Sequence, residues 1–586
     1  MDDFYQPLIN PTDTDTIDTS KFESLITNTL TSIRSTPLPI ILSIALAPIL
    51  AIIATRLLSE RPSEKLKGKD GRTVWMPAYW VPGVGHVFSF WMNAENLTSG
   101  LRDQSAHGIF ALSLGGSTHN IISNPKLVKE VLQKKESDVT FKSVALDLAL
   151  KFFGVPKSAE KKYLDNWEEY TATFNYLMKE PHLSNMLDGT VRNLQRIIPQ
   201  MVSFVDSEID QYPWEKWANA DYISNNEMEV DLMALIRDIL GQASVPSLFG
   251  HAFLDNNPHV LHDVYEMDRG MMYFNMGLPW FTPWPSVARA HYSRSQVQYS
   301  INSFHEALDA SVDGKHVDSS WGDLDDVSDF IMKRHEFFRK HGLKPNERGD
   351  VSVLWALVNN STLIVYWHLL YILSTPDLAD QICDEISPYA TVIPGERIGS
   401  FAEAPRLNFS HEDLSQKCPL FKSTYLEALR LTSQPTSIRK LENDITLTDK
   451  PSNTDTDKTS AVTYILHKNE HVTLPHDLHM RDPSYFSSPT TFNPERFLVT
   501  DETGKNSVDP QTIRPYGGGP SICKGRVFAE RECLAFVAGM LMYWEIEPVA
   551  AKGEKKGKWK IPGMIKTSAV GLPDKEARVR IKRKVV

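Results

Sequence analysis

Cysteine is scarce: Cys383, Cys418, Cys523 and Cys533 are the only four in 586 residues, and they have no framework spacing. That argues against structural disulfides and favours a reducing compartment. No lysine followed by serine or threonine completes a phosphate loop after the glycine run Gly517–Gly519, and the Gly-x-Gly-x-x-Gly spacing of a dinucleotide turn is missing there too. No internal repeat is evident. Acidic residues outnumber basic ones to give a net charge of −11, which argues against a nucleic-acid partner; the basic end Arg578 to Lys584 is too short to reverse that balance. Apolar residues, in contrast, are plentiful. At 41% hydrophobic and 23% charged, the chain can bury a large core.

Four stretches differ in character: a polar segment over 1–34, an apolar one over 35–58, a basic and proline-rich one over 59–90, and the main domain over 91–586. Ser35 to Thr55 carries no charge, and at about 1.5 Å per residue it can cross a hydrocarbon core of roughly 30 Å. It reads as a membrane anchor, with Pro48 as an internal kink. A cleaved signal peptide is the alternative, but the segment starts far from the terminus and is long for one. Acidic residues dominate before it, whereas Arg56, Arg61, Lys65, Lys67, Lys69 and Arg72 follow. The positive-inside rule therefore predicts a single-pass protein with its polar N-terminal segment lumenal and its main domain cytosolic, on the endoplasmic reticulum in a eukaryote. Met76 to His86, rich in proline and glycine, reads as a stiff hinge.

Near the other end the chain reads Tyr516, Gly517, Gly518, Gly519, Pro520, Ser521, Ile522, Cys523, Lys524, Gly525, followed by an apolar stretch to Trp544. A helix starting behind Cys523 would place N–H groups and a positive dipole end near its sulfur. The glycines let backbone pass close to a large flat object. A small buried thiol is the other reading of a lone cysteine. The composite Tyr516-Gly-Gly-Gly-x-x-x-Cys523-x-Gly525 resembles the cysteine-ligand loop of the haem-thiolate monooxygenases, the cytochrome P450 family. That resemblance implies a mainly α fold with small β-sheets, an N-terminal transmembrane helix, haem b with Cys523 as axial thiolate, and Tyr516, Gly517 and Gly519 lining the cofactor.

Further family motifs stand upstream in the expected order. Glu427 and Arg430 share one face of a helical run, Phe421 to Leu431, at i, i+3. Such pairs are mostly solvated, but apolar neighbours here point to burial, and a buried pair needs more partners. Arg496, within Phe492-Asn-Pro-Glu-Arg-Phe497, matches the family's third member of a Glu427, Arg430, Arg496 network. Arg439 matches the arginine that reaches a haem propionate, its other reading being an ordinary exposed arginine.

Val351 to Leu373 is almost wholly apolar and reads as the buried helix that crosses the haem in this family. Here the chain departs from the common pattern. The family signature of small residue, glycine, any residue, acid and threonine aligns with Ala356, Leu357, Val358, Asn359, Asn360, so Asn359 and Asn360 stand where the proton-relaying acid and threonine belong. Ser361 and Thr362 follow but project at other angles. Asparagine at the threonine position, with Trp355, Tyr366 and Trp367 around it, resembles the branch of sterol 7α-hydroxylases and prostacyclin synthase. Ser521, in place of the usual arginine or histidine, fits that branch. No Trp-x-x-x-Arg marks a further propionate contact, since Trp167 is followed by Glu168, Glu169 and Tyr170.

Gly270 to Pro285 is dense in aromatics and methionine and reads either as an apolar lid over the substrate channel or as plain core. Asp449 to Thr459 reads as a hairpin tip. The resemblance implies a monooxygenase that oxidises an apolar sterol, terpenoid or polyketide intermediate, as in secondary-metabolite pathways. Its electrons would come from NADPH-cytochrome P450 reductase, with cytochrome b5 as a second donor. Two alternatives remain open: a haem-thiolate isomerase or dehydratase needing neither reductase nor dioxygen, and an inactive haem-binding protein.

Overall fold

The computed structural model describes residues 38–66, 71–105, 107–322, 324–395, 397–398, 401–402, 404–450, 461–550, 557–567 and 569–584. Most of the expected hairpin tip, residues 451–460, and the segment 1–37 lie outside them. Helix α1, Leu38–Leu58, covers the expected anchor and contains Pro48. Its Leu50, Leu57 and Leu58 are exposed, so this helix buries little of its apolar surface against the domain. The chain then turns back on itself. Arg61 and Met76 exchange backbone hydrogen bonds, Ser59 Oγ bonds the Tyr79 carbonyl at 3.2 Å, and Arg56 lies over the Trp80 ring at 5.2 Å, so the expected hinge is strapped to the residues that follow α1.

The architecture is mainly helical with small sheets, as expected. Helices α2 (Pro125–Leu132), α3 (Leu232–Phe249), α4 (Val260–Arg269), α5 (Pro285–Val312), α6 (Val351–Ser374), α7 (Pro419–Thr432) and α8 (Arg526–Tyr543) frame the site. A five-stranded sheet orders Ile109–Leu114, Ser117–Ile122, His471–Pro475, Thr436–Leu441 and Val139–Thr140, antiparallel except where His471–Pro475 meets Ser117–Ile122. A four-stranded antiparallel sheet joins Trp544–Pro548 to Arg578–Arg583, Glu227–Asp231 and Asp221–Ser224. Ile445–Asp449 pairs with Val462–Leu466, the two flanks of the expected hairpin.

Two helices among the described residues are long and apolar enough to cross a membrane, α3 and α6, and 83% of each span is buried inside the protein. They are core helices. The packing along α6 explains its composition. Val351, Val353, Leu354, Leu357 and Val358 belong to one core cluster with α4 and α5, whereas Leu363 to Leu370 belong to another with α7 and α8. The polar residues Asn359 to Thr362 fall where the two cores meet. No acid lies within α6, and the residue before Pro376 ends it in an extended conformation that proline enforces.

Candidate active site

Cys523 sits in the short link between a single 3-10 turn, Gly519–Ser521, and the start of α8. Protein surrounds this thiol closely enough for desolvation to raise its pKa, while the N–H groups of Gly525 and Arg526 and the charges of Arg526 and Lys524 pull it back. The residue is nonetheless exposed, unlike Cys418 and Cys533, which are buried. An exposed cysteine whose sulfur faces two N–H donors at a helix start is a competent thiolate ligand. Cys533 is core, with its sulfur 3.8 Å from the Ser361 carbonyl.

The loop before Cys523 is shaped by its own packing. Gly517 and Gly519 have φ of +74° and +69°, a region that disfavours side chains. A Cβ on Gly518 would lie 2.6 Å from Leu132 Cδ1, and one on Gly519 would lie 2.9 Å from the Leu132 carbonyl oxygen. The observed close approach at Gly518 and Gly519 is therefore to the end of α2. Tyr516 closes the loop through its carbonyl, which accepts from Cys523 N at 3.1 Å, and through its phenol, which lies 2.5 Å from the Tyr425 hydroxyl on α7. The sequence argument required a partner for this phenol without identifying it.

Arg439 lies on the inner strand Thr436–Leu441, fourth of the five, and is 5% exposed. Its guanidinium donates to Ser521 Oγ, in the cysteine loop, and to the Ile438 carbonyl at 2.8 Å, and stacks 4.8 Å over the Phe141 ring. Among the described residues no carboxylate forms an ion pair with it; burial lowers its pKa and the field of Glu136 opposes that shift. A buried cation lacking an acid partner, held beside an accessible thiol, fits a cofactor that brings both a metal and carboxylates.

The predicted ionic network is present. Arg430 donates to both Glu427 oxygens at 2.8 Å, Arg496 Nε lies 3.0 Å from both, and Asn493 N donates to Oε1 at 3.1 Å. Arg430 also holds the carbonyls of Met480 and Pro489, and Arg496 that of Ser487. Glu427 and Arg430 are fully buried. The network thus fastens α7 to the segment that leads into the cysteine loop.

The middle of α6 separates Asn359 from Asn360. Most of this helix is buried, yet Ser352, Ala356 and Asn360, spaced i, i+4, form one accessible stripe. Asn360 carries that stripe, and its buried Oδ1 has no hydrogen-bond partner. Asn359 is buried and turns instead to α4, where its side chain favours the charge of Asp268, the carboxylate to which Trp355 Nε1 donates at 2.7 Å. Thr362 Oγ1 bonds back to the Val358 carbonyl at 2.5 Å. Ser244 donates to the buried Glu532 of α8, whose pKa burial pushes up to about 7. Sequence reasoning missed Asp268, Tyr425, Ser244 and Glu532, all of which lie on other elements than their partners. Trp167 packs with Tyr163 and Tyr170, away from any of these groups.

The aromatic segment divides between the two readings. Phe274 is buried, whereas Trp280 (66%), Phe281 (69%) and Trp284 are exposed.

Comparison with known proteins agrees with this geometry. A family model for cytochrome P450 matches residues 76–569. The cytochrome P450 monooxygenase poxD of Penicillium oxalicum is 22% identical over 89% of this chain and 95% of its own length. The 7-alpha-hydroxycholest-4-en-3-one 12-alpha-hydroxylase of Oryctolagus cuniculus is 26% identical over 80% of this chain and 85% of its own length. Among solved structures, retinoic acid bound cyanobacterial CYP120A1 superposes with a TM-score of 0.57 at 15% identity, covering 86% of this chain and 98% of the other. Haem with a cysteine thiolate ligand is the cofactor of that fold, and the chain belongs to the cytochrome P450 monooxygenase family.

Proposed function

We propose that the protein is a membrane-anchored monooxygenase that oxidises an apolar, lipid-like substrate, with Cys523 as the haem thiolate and Arg439 as a propionate partner. The observation that carries this reading is the pairing of an accessible Cys523 with a buried, acid-free Arg439 on Ser521 of the same loop. Tyr516 braces the loop through Tyr425 while Gly517 and Gly519 give it its turns, and Glu427, Arg430 and Arg496 anchor it. When bound, haem with an axial thiolate supplies activation of dioxygen. Ser352 and Asn360 are the polar residues of the accessible stripe on α6, Asn360 with a buried side-chain oxygen that has no hydrogen-bond partner among the described residues, and Ala356 keeps the turn between them apolar.

The exposed α1 and the exposed Trp280, Phe281 and Trp284 support attachment to a membrane from which an apolar substrate would enter. The relatives named as sterol hydroxylases and fungal monooxygenases support a sterol or a secondary-metabolite intermediate as that substrate. Electrons would come from an NADPH-dependent reductase. The absence of an acid and a threonine from the stripe favours one second reading, a haem-thiolate isomerase or dehydratase. Turnover of a sterol and terpenoid panel in microsomes, with and without NADPH and reductase, separates the two. Products that require both are expected; turnover that persists without electrons refutes the monooxygenase.

A further inference from the structure

Helix α4 ends at Arg269, directly before Gly270 and the aromatic segment with its exposed tryptophans. One residue inside that end, Asp268 reaches α6 and accepts from Trp355 Nε1 at 2.7 Å, with the Asn359 side chain also favouring its charged form. Trp355 and Asn359 lie one turn apart, and immediately beside each stands a residue of the accessible stripe, Ala356 and Asn360. Asp268 has no ion-pair partner among the described residues, because the neighbouring Arg269 bonds Glu266 at 2.7 Å. Its carboxylate is therefore held by the neutral indole N–H of Trp355 on the opposite helix, with the Asn359 side chain also favouring its charge, and burial works against that charge if the donor is withdrawn. Beyond the clasp, Gly270 leaves no slack: a Cβ there would lie 2.3 Å from that of Ala290 on α5.

We propose that Asp268 is a positioning residue of the active site, clasping α4 to α6 through Trp355, with Asn359 beside it, so that the lid side is closed over the stripe of Ser352, Ala356 and Asn360. The carboxyl that α6 lacks is in this way supplied from the lid helix, and it acts by fixing the wall of the pocket and excluding water between the two helices. This rests on the haem reading above.

The test uses the full-length, haem-loaded protein and two optical probes. Imidazole reaches the iron alone, whereas 4-phenylimidazole carries an apolar ring against the pocket wall. Asp268→Asn keeps the size but turns one acceptor into a donor facing Trp355 or Asn359, and Trp355→Phe removes a single N–H. Each variant is expected to weaken 4-phenylimidazole at least threefold while moving imidazole less than twofold, and to raise hydrogen exchange in peptides spanning 260–269. The double variant should do no more than the worse single one. Unchanged 4-phenylimidazole binding and exchange, an equal loss for both probes, or additive effects overturn the proposal. If Asp268→Asn does not load haem, Trp355→Phe decides alone. A wild type that binds no haem refutes the haem reading instead, and exchange over 260–269 in the two variants still shows whether the clasp exists.

Discussion

Glu427→Gln tests the link between the ionic network and the cysteine loop. Wild-type Glu427 is fully buried and receives Arg430 twice, Arg496 twice and the Asn493 amide at 2.8 to 3.1 Å. The amide has the same shape but no charge, and it turns one acceptor oxygen into a donor facing guanidinium N–H groups. Two arginines, 0% and 7% exposed at their side chains, are then left without a counter-ion. Removing one partner of a buried ion pair costs about 3 to 5 kcal/mol, because the remaining charge stays desolvated. The carbonyls of Met480, Pro489 and Ser487 keep part of the arginine hydrogen bonding, which puts the expected loss nearer about 3 kcal/mol. Against a total stability of roughly 5 to 15 kcal/mol, that is a large fraction. Urea unfolding of wild type and variant, followed by far-ultraviolet circular dichroism and by haem absorbance, should show an earlier midpoint at unchanged slope, with haem lost at or before the backbone transition. A loss under about 1 kcal/mol with normal haem retention would refute the claim that this network anchors the loop.

Three further outcomes are expected. Tyr516→Phe strands the Tyr425 phenol in a buried site and should cost about 1 to 3 kcal/mol, while the double Tyr425→Phe, Tyr516→Phe variant recovers most of that loss in the same urea experiment. Gly519→Ala places a side chain at φ +69° and 2.9 Å from the Leu132 carbonyl oxygen, so it should lower stability by more than about 1 kcal/mol and reduce haem content, read by absorbance per protein. Glu532 has its folded pKa raised to about 7 from an ordinary value of 4.5, so the native state holds a proton that the unfolded chain has already released. Its contribution is present below pH 4.5 and fades as pH rises towards 7, by up to about 3 kcal/mol, and the stability gap between wild type and Glu532→Gln, followed by urea unfolding across that window, should shrink or reverse accordingly.

Elements defined by local pattern were legible in the sequence. Helix α6 begins at its expected Val351 and ends within a residue of its expected end because Thr375-Pro376 stops it on steric grounds. The ionic triad was legible from its spacing and its apolar surroundings. The orientations of Asn359 and Asn360 were not, because adjacent positions on a helix differ by about 100° and only the partner helix decides which one meets protein. Asp268 and Tyr425 escaped notice for the same reason: each is an ordinary residue until another element brings Trp355 or Tyr516 to it. The glycine run, expected to line the cofactor, also lies against protein: Gly517 against Ser437, and Gly518 and Gly519 against Leu132.

The central claim is that Cys523 is the thiolate ligand of a haem, and the reduced carbon monoxide spectrum tests it most directly. The wild type should show the red-shifted Soret band of thiolate ligation, and Cys523→Ala should lose it while Cys533→Ala, which alters a core thiol, keeps it. A wild type without that band, or a Cys523→Ala variant that retains it, would contradict the account.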